Sequence, residues 1–473
     1  MLPIRCAARG LVPVTVAMLL AGCALGPDYR RPDAAVTDHY KNPVSTTTQA
    51  PPAKWWTLFG DPVLNDLEQQ VEVSNQNIAQ AYAAYMQARA VVRQDRSNLW
   101  PSIGLSGGVT RSGSGAPALP GAGSNTRTSY QLGANANWEL DVWGRLRRTL
   151  ENAHASAQAS SVDLVNAKLS AQSQLATAYL QLRGADAQRK LLSDTEAAYA
   201  RTLTITENRY KAGTAARTDV LQAQTQLYSA QDQEQSEILQ RAQLENSIAA
   251  LVGKPASGFT IAPLDAWDIP VPEIPAGIPS ELLQRRPDIV IAERQMAAAN
   301  AIIGVQEASY FPAVTLTGSY SFLSTAASAL FDKASMSHSV AGSLSQTLLD
   351  FGARRAQVEQ ARDQYAQMVA SYRQSVLTAF QDVENDLVAS DIYRKEFELR
   401  RKTSEAADLT EKLTINQYKA GTVDFTTVVV QQTAALSARL QLAQLKVSQQ
   451  TTAVTLIADL GGGWQAPDFS HYE

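Results

Sequence analysis

The amino-acid sequence predicts a mainly α chain with a membrane β component, in which very long helices alternate with two pairs of short strands. Three observations carry that prediction. The chain repeats itself at an offset of 208 residues: Trp143-Gly144-Arg145-Leu146-Arg147 returns as Phe351-Gly352-Ala353-Arg354-Arg355, and Tyr210-Lys211-Ala212-Gly213-Thr214 returns as Tyr418-Lys419-Ala420-Gly421-Thr422. None of the 20 prolines falls between Gly121 and Lys254 or between Ala313 and Ala466. Proline costs about 3 kcal/mol in a helix interior, so proline-free stretches rich in Ala, Gln, Leu, Glu and Arg read as helix. Four further segments alternate apolar and polar residues with the period of a strand. Two such units in one chain suggest a pseudo-symmetric part of a larger ring.

Residues 1–22 carry Arg5 and Arg9, then an apolar run from Leu11 to Leu20, ahead of Leu20-Ala21-Gly22-Cys23. This is a secretory signal, too short for a transmembrane span. The four residues at its end resemble a bacterial lipobox, which makes Cys23 the acylated first residue of the mature chain. Ala24, rather than aspartate, follows it, which by the same resemblance points to the outer membrane. Cys6 leaves with the signal, so the mature chain has one thiol and no internal disulfide. The 41 Lys and Arg against 45 Asp and Glu argue against a nucleic-acid partner.

An anchored extended segment, 23–60, leads through the packing anchor Trp55-Trp56 to a first repeat, 61–254. A Pro-rich linker, 255–279, separates it from a second repeat, 280–463, and a tail, 464–473, closes the chain. Asp61-Pro62 starts the first helix, supplying a side-chain acceptor and a proline at the first helical position. The stretches 144–211 and 353–419 would each reach about 100 Å as continuous helix, with Gly184 a possible kink in the first. Leu164, Ala167, Ala171, Leu175, Ala178 and Leu182 in one, and Val376, Phe380, Val383 and Leu387 in the other, form seams for neighbouring helices. Two shorter helices laid end to end match each long one: 62–99 with 214–253, and 280–310 with 423–460. Gly213 and Gly421 suit the left-handed turn that ends a helix, and mark the tips of two helical hairpins.

Within the strand pairs 102–140 and 312–348, the alternating segments are 103–109, 129–140, 312–322 and 339–348. Tyr130, Leu132, Ala134, Ala136, Trp138 and Leu140 share one face of the second, with Gln131, Asn135, Asn137 and Glu139 on the other. An apolar face backed by a small polar face suits a membrane barrel and equally a soluble sandwich. If the strands are in lipid, bare edges are not permitted and known barrels start at eight strands, so two or more chains must share the wall; three give twelve. The Gly, Ser and Pro segment 111–128 and the small polar segment 323–337 suit loops at the solvated end.

Little in the chain calls for catalysis. Gly104-Leu105-Ser106-Gly107-Gly108 satisfies an esterase pattern, but Ser106 lies inside an alternating strand and not at a strand-to-helix turn. His39, His154, His338 and His471 are scattered, with no second ligand at metal-site spacing. No cofactor is expected beyond the acyl anchor on Cys23.

Taken together, the lipobox, Gly26-Pro27-Asp28-Tyr29-Arg30-Arg31-Pro32, Trp55-Trp56 with Phe59-Gly60-Asp61-Pro62, Arg285-Arg286-Pro287-Asp288-Ile289 and the paired Tyr-x-x-Gly turns resemble the TolC-type outer-membrane efflux proteins, lipoprotein branch. The resemblance spans essentially the whole mature chain. It implies a homotrimer with a twelve-stranded barrel in the outer membrane and a helical tunnel through the periplasm. The linker and termini would form an equatorial belt. It also implies a periplasmic adaptor and an inner-membrane transporter as partners, with the duct itself passive and exporting drugs or other small toxic solutes. Alternatives are a duct for ATP-driven protein secretion and a periplasmic coiled-coil adaptor lipoprotein.

The resemblance further places a periplasmic gate at the two glycine turns. Counted from Gly213, it falls on Thr218 and Asp219; counted from Gly421, on Tyr418, Val423, Asp424, Thr427 and Val430. A Tyr418 hydroxyl to Asp219 carboxylate bond would be charge-assisted, worth about 1.5–3 kcal/mol, whereas Asp219 could instead cap the returning helix. Where relatives place an arginine and inward aspartates, this chain has Val423, Thr427 and Val430. Closure is therefore expected to rest on apolar packing by Val423, Phe425, Val428 and Val430.

Overall fold

The computed structural model describes residues 24–34, 37, 39–41, 52–113, 126–264, 267, 269–274, 281–467 and 469. The predicted signal segment with Cys23, residues 114–125 of the first strand loop, and His471 lie outside the described residues.

Asp61 opens α1 (Pro62–Ser74), its Oδ1 accepting from the amides of Val63 at 2.7 Å and Leu64 at 3.0 Å. The expected single helix over 62–99 is instead two. Asn75 is extended, closes α1 and opens α2 (Gln76–Ser97), its Oδ1 accepting from the amides of Asn77 and Ile78. The strands β1 (Ser102–Gly113) and β2 (Thr126–Leu140) follow. α3 (Arg145–Lys211), 67 residues long, runs unbroken through Gly184. A Cβ on Gly184 would lie 2.3 Å from Val447 Cγ2, so this glycine serves close approach of a neighbouring helix and not a kink. α4 (Arg217–Leu251) returns from the tip.

The second half repeats the plan. A short α5 (Leu282–Arg285) breaks at Arg286, where Pro287 begins α6 (Pro287–Ala308). β3 (Ala313–Ser324), β4 (Met336–Ser345), α7 (Ala353–Lys419) and α8 (Phe425–Asp459) complete the chain. Strand four thus lies a few residues ahead of the expected 339–348.

α3 packs along α2 and α6 in its strand-proximal half and along α4 and α8 in its tip-proximal half; α7 flanks α6 and α8 in the same way. The wall is therefore four helices wide at each level. α3 buries 25 of its residues and α7 only 11, which places α3 inside the protomer and α7 at its edge. The main apolar core lies at the middle. Trp55, Trp56, Phe59, Leu64 and Tyr179 pack there with Ile261 and Ile269 of the linker.

The ends of the shorter helices meet at two joints. In the first, Asn75 Nδ2 donates to the Leu251 carbonyl at 2.8 Å, and a Cβ on Gly253 would lie 2.4 Å from the Ser74 carbonyl. In the second, Arg286 Nη1 approaches the Asp459 carbonyl at 3.4 Å, and a Cβ on Gly461 would lie 2.1 Å from the Arg285 carbonyl. Ser74 and Asn75 correspond to Arg285 and Arg286 at an offset of 211, and Leu251 and Gly253 to Asp459 and Gly461 at 208. The joints are copies of one another.

Candidate functional site: a membrane sheet and a helical tip

The four strands form one antiparallel sheet in sequence order, so β1 and β4 are both edges. The register puts apolar residues opposite one another across the whole sheet: Leu105 faces Ala134, Leu132 faces Phe322, Trp138 faces Leu316, and Val314 faces Leu344. On this face Ile103 is 79% and Val340 81% exposed. A sandwich would bury such a face against a second sheet; among the described residues there is one sheet and nothing packs on this face, which favours the membrane reading of the alternation. The opposite face is polar, carrying Gln131, Asn135, Asn137 and Glu139 on β2 and small hydroxyls on β3 and β4, with Ser319 and Ser339 hydroxyls 2.8 Å apart and Ser321 and Ser337 2.9 Å apart. Twelve- and ten-residue edge strands cannot stand bare in lipid. Among the described residues no helix is long and apolar enough to cross a membrane.

A collar of aromatic rings sits where strands pass into helices. Trp143 stacks on Phe311 at 4.8 Å and donates to the Pro312 carbonyl at 2.8 Å, while Trp138 donates to the Leu99 carbonyl at 3.0 Å. Trp100, Tyr310 and Phe351 are exposed beside them. Amphipathic rings at this level are the mark of a membrane–water boundary. The sequence showed Trp143 and Phe351 only as repeat markers. The turn itself is held by Asp141, which accepts from the Leu146 and Arg147 amides at 2.9 Å each, with Gly144 at φ +80°.

At the other end Gly213 (φ +73°) and Gly421 (φ +79°) close the hairpins, with the Thr214 amide donating to the Arg209 carbonyl and the Thr422 amide to the Gln417 carbonyl. The Tyr418 ring is buried between Phe425, 5.4 Å away, and the Arg209 guanidinium, 4.4 Å above it. Arg209 also donates to the Tyr418 carbonyl. Ala223, Phe425 and Val428 complete the cluster, with Val423 and Val429 partly buried against it.

The expected hydroxyl-to-carboxylate latch is not made. Asp219 Oδ2 accepts from the Ala216 amide at 3.3 Å, capping α4, and the buried Tyr418 hydroxyl has no hydrogen-bond partner among the described residues. Backbone amides three residues away outcompete a phenol on another hairpin. Asp424 likewise caps α8, accepting from the Thr427 amide at 2.8 Å and hydroxyl at 2.6 Å. Thr218 is exposed. Val430, expected in the apolar closure, is 56% exposed and outside the cluster. Arg209, which the sequence reading passed over, is what holds Tyr418.

Ser106 lies within β1, its Oγ 3.4 Å from the Gly133 carbonyl. His154 contacts Arg96, and His338 falls on the apolar face of β4, opposite Tyr320. Among the described residues no group of His, Cys, Asp or Glu could hold a metal ion.

A lipid-facing sheet with open edges, an aromatic collar and a conduit-length helical wall together define a subunit of a membrane channel that several chains complete. The chain belongs to the outer membrane efflux protein family, whose model matches residues 67–254 and 278–462, one match per repeat. It is 30% identical to the antibiotic efflux pump outer membrane protein ArpC of Pseudomonas putida, over 95% of this chain and 94% of that protein. The pyoverdine export outer membrane protein OpmQ of Pseudomonas aeruginosa is 28% identical, over 97% of this chain and 98% of its own. The outer-membrane channel OprN superposes with a TM-score of 0.85 at 31% identity, covering 94% of this chain and 100% of that one. The protein is an outer-membrane exit duct of efflux pumps, not an enzyme. Its helical barrel and membrane β-barrel are completed by a homotrimer. An adaptor that stays in the periplasm is thereby set aside.

Proposed function

We propose that this duct works in a three-part pump, receiving small solutes from an inner-membrane transporter through a periplasmic adaptor, with Cys23 lipidated in the outer membrane. The relatives are named for antibiotic efflux and pyoverdine export, which favours small solutes over secreted protein as cargo. The polar lining of the sheet, mostly hydroxyls and amides, offers little selectivity, so choice of cargo falls to the transporter. A shallow groove between α4 and α8, lined by Leu221, Thr225, Thr426 and Val429, is where the adaptor would dock.

The resting closure is the tip at Thr218, Asp219, Tyr418, Val423, Asp424, Thr427 and Val430, around the turns Gly213 and Gly421. The observation that carries this reading is the burial of Tyr418 between Arg209 and Phe425, which ties the two hairpins together without its hydroxyl. Conductance in planar bilayers tests it. Tyr418→Phe should conduct like the wild type, since the hydroxyl makes no bond among the described residues and removing an unpaired buried polar group is neutral or better. Tyr418→Ala, which deletes a buried ring at a local cost of about 3–5 kcal/mol, should raise conductance several-fold. A leaky Tyr418→Phe, or a tight Tyr418→Ala, would remove this closure.

A further inference from the structure

The second joint gathers more carboxylates than its one cation can balance. Arg286, 8% exposed, donates to Asp288 Oδ2 at 2.8 Å, to Asp459 Oδ1 at 3.3 Å and to Asp382 Oδ2 at 3.5 Å. Asp386, one turn along α7 from Asp382, brings its carboxyl within hydrogen-bonding reach of Asp459 on α8. Its Oδ2 is closed off from solvent and has no donor among the described residues. Two ionised carboxylates only accept hydrogen bonds, so this contact attracts only when one of them carries a proton.

We propose that Asp386 and Asp459 share one proton across the α7–α8 contact, and that its release to water as pH rises loosens the C-terminal end of α8 from the joint. The charged groups facing the pair are Arg286 at the break between α5 and α6, Asp288 from α6 and Asp382 from α7. The joint's other packing is the apolar cluster Leu282, Val383, Leu387, Leu456 and Leu460, with the Tyr40 phenol partly buried against it. Losing the proton adds one more unbalanced negative charge and leaves two acceptors facing each other. Burial first, then the Asp459 and Asp382 charges, push Asp386 up to about 7 against the pull of Arg286. Burial also raises Asp459, again opposed by Arg286. A carboxyl whose pKa is higher in the closed joint than in the open one stabilises closure fully in acid. That stabilisation falls as pH climbs toward the closed-state value and is gone above it. The operative window thus ends near pH 7, in the range an envelope channel meets.

Amide hydrogen exchange on the full-length trimer in detergent, corrected for intrinsic rates, tests this at pH 6 and pH 8. Protection of the last turn of α8 should fall about tenfold between them, because the opening equilibrium changes by one decade per pH unit between the two pKa values. The last turn of α4, at the joint bridged by the neutral Asn75, should hold its protection. Asp386→Asn fixes the neutral state and should abolish the α8 change; Asp459→Asn gives the same readout if the first variant does not assemble. Equal α8 protection at both pH values, loss in both joints alike, or an undiminished tenfold change in the Asn variants would each overturn the proposal.

Discussion

The two joints solve one geometric problem with different chemistry. Each must let the C-terminus of one helix meet the N-terminus of another without a gap in the wall, and each uses a glycine with positive φ pressed on a carbonyl: Gly253 (φ +69°) on Ser74 and Gly461 (φ +92°) on Arg285. The side chain that bridges to the incoming helix end differs. Asn75 is neutral and satisfies both sides at once, capping α2 with its oxygen and reaching Leu251 with its nitrogen. Arg286 is charged and must be balanced by Asp288, Asp382 and Asp459. Duplication kept the backbone and freed the side chains, so only the second joint bridges its helix ends with ionisable groups.

If the backbone is the shared element, its loss should be the largest effect and should be equal in both joints. Gly253→Val and Gly461→Val each force a β-branched residue into a left-handed conformation, at about 1–3 kcal/mol. Each also drives a Cβ into a backbone oxygen that cannot turn aside. Both variants should fail to give a heat-stable trimer on a thermal scan in detergent; tolerance of either would mean that its joint can open without cost.

The next effect should separate the joints. Arg286→Met leaves carboxylates without their cation, and breaking a buried pair costs about 3–5 kcal/mol. Asp288 and Asp382 keep substantial contact with water, so the loss should sit near the lower end. It should be smaller at pH 5 than at pH 8, because protonation relieves the uncompensated carboxylates. Asn75→Ala removes a cap, costing about 0.5–2 kcal/mol, with no dependence on pH across that range. Denaturant or thermal midpoints of the two variants at both pH values check the contrast, and parallel pH profiles would erase it.

The sequence carried what is periodic and hid what is not. The strands and both long helices were legible because alternation and proline exclusion act over many residues, as in 129–140 and 353–419. The glycine tips were legible because Gly213 and Gly421 stand in identical pentapeptides. The joints were not, since Asn75 and Arg286 share nothing but their place in the repeat, and each sits inside a helical pattern that continues on both sides. The gate pairing failed for a related reason: whether Asp219 meets Tyr418 or Ala216 depends on how two hairpins dock, and the local amide won. The aromatic collar draws Trp100, Trp138, Trp143, Tyr310 and Phe351 from the four junctions between strands and helices, and no local pattern assembles it.

The smallest predicted effect would transfer the behaviour of one joint to the other. Asn75, 4% exposed, accepts from the Asn77 and Ile78 amides through Oδ1 and donates through Nδ2 to Leu251. Asp at this position keeps the cap, for which Asp and Asn rank alike, but turns the donor into an oxygen facing a carbonyl. Burial then favours the protonated acid, whose hydroxyl can still donate to Leu251. Asn75→Asp should therefore cost under about 1 kcal/mol at pH 5, where that hydroxyl is present. By pH 8, with the proton gone and two acceptors opposed, the cost should grow to about 2 kcal/mol, the range for an unmet buried acceptor. The sign matches the second joint: a raised native pKa means stability present in acid and lost as pH rises through it. A thermal midpoint that falls with pH in Asn75→Asp, relative to the wild type, would show that one carboxyl at this backbone position suffices for pH sensitivity. A flat difference would mean that the Asp386–Asp459 contact, absent from the first joint, is required.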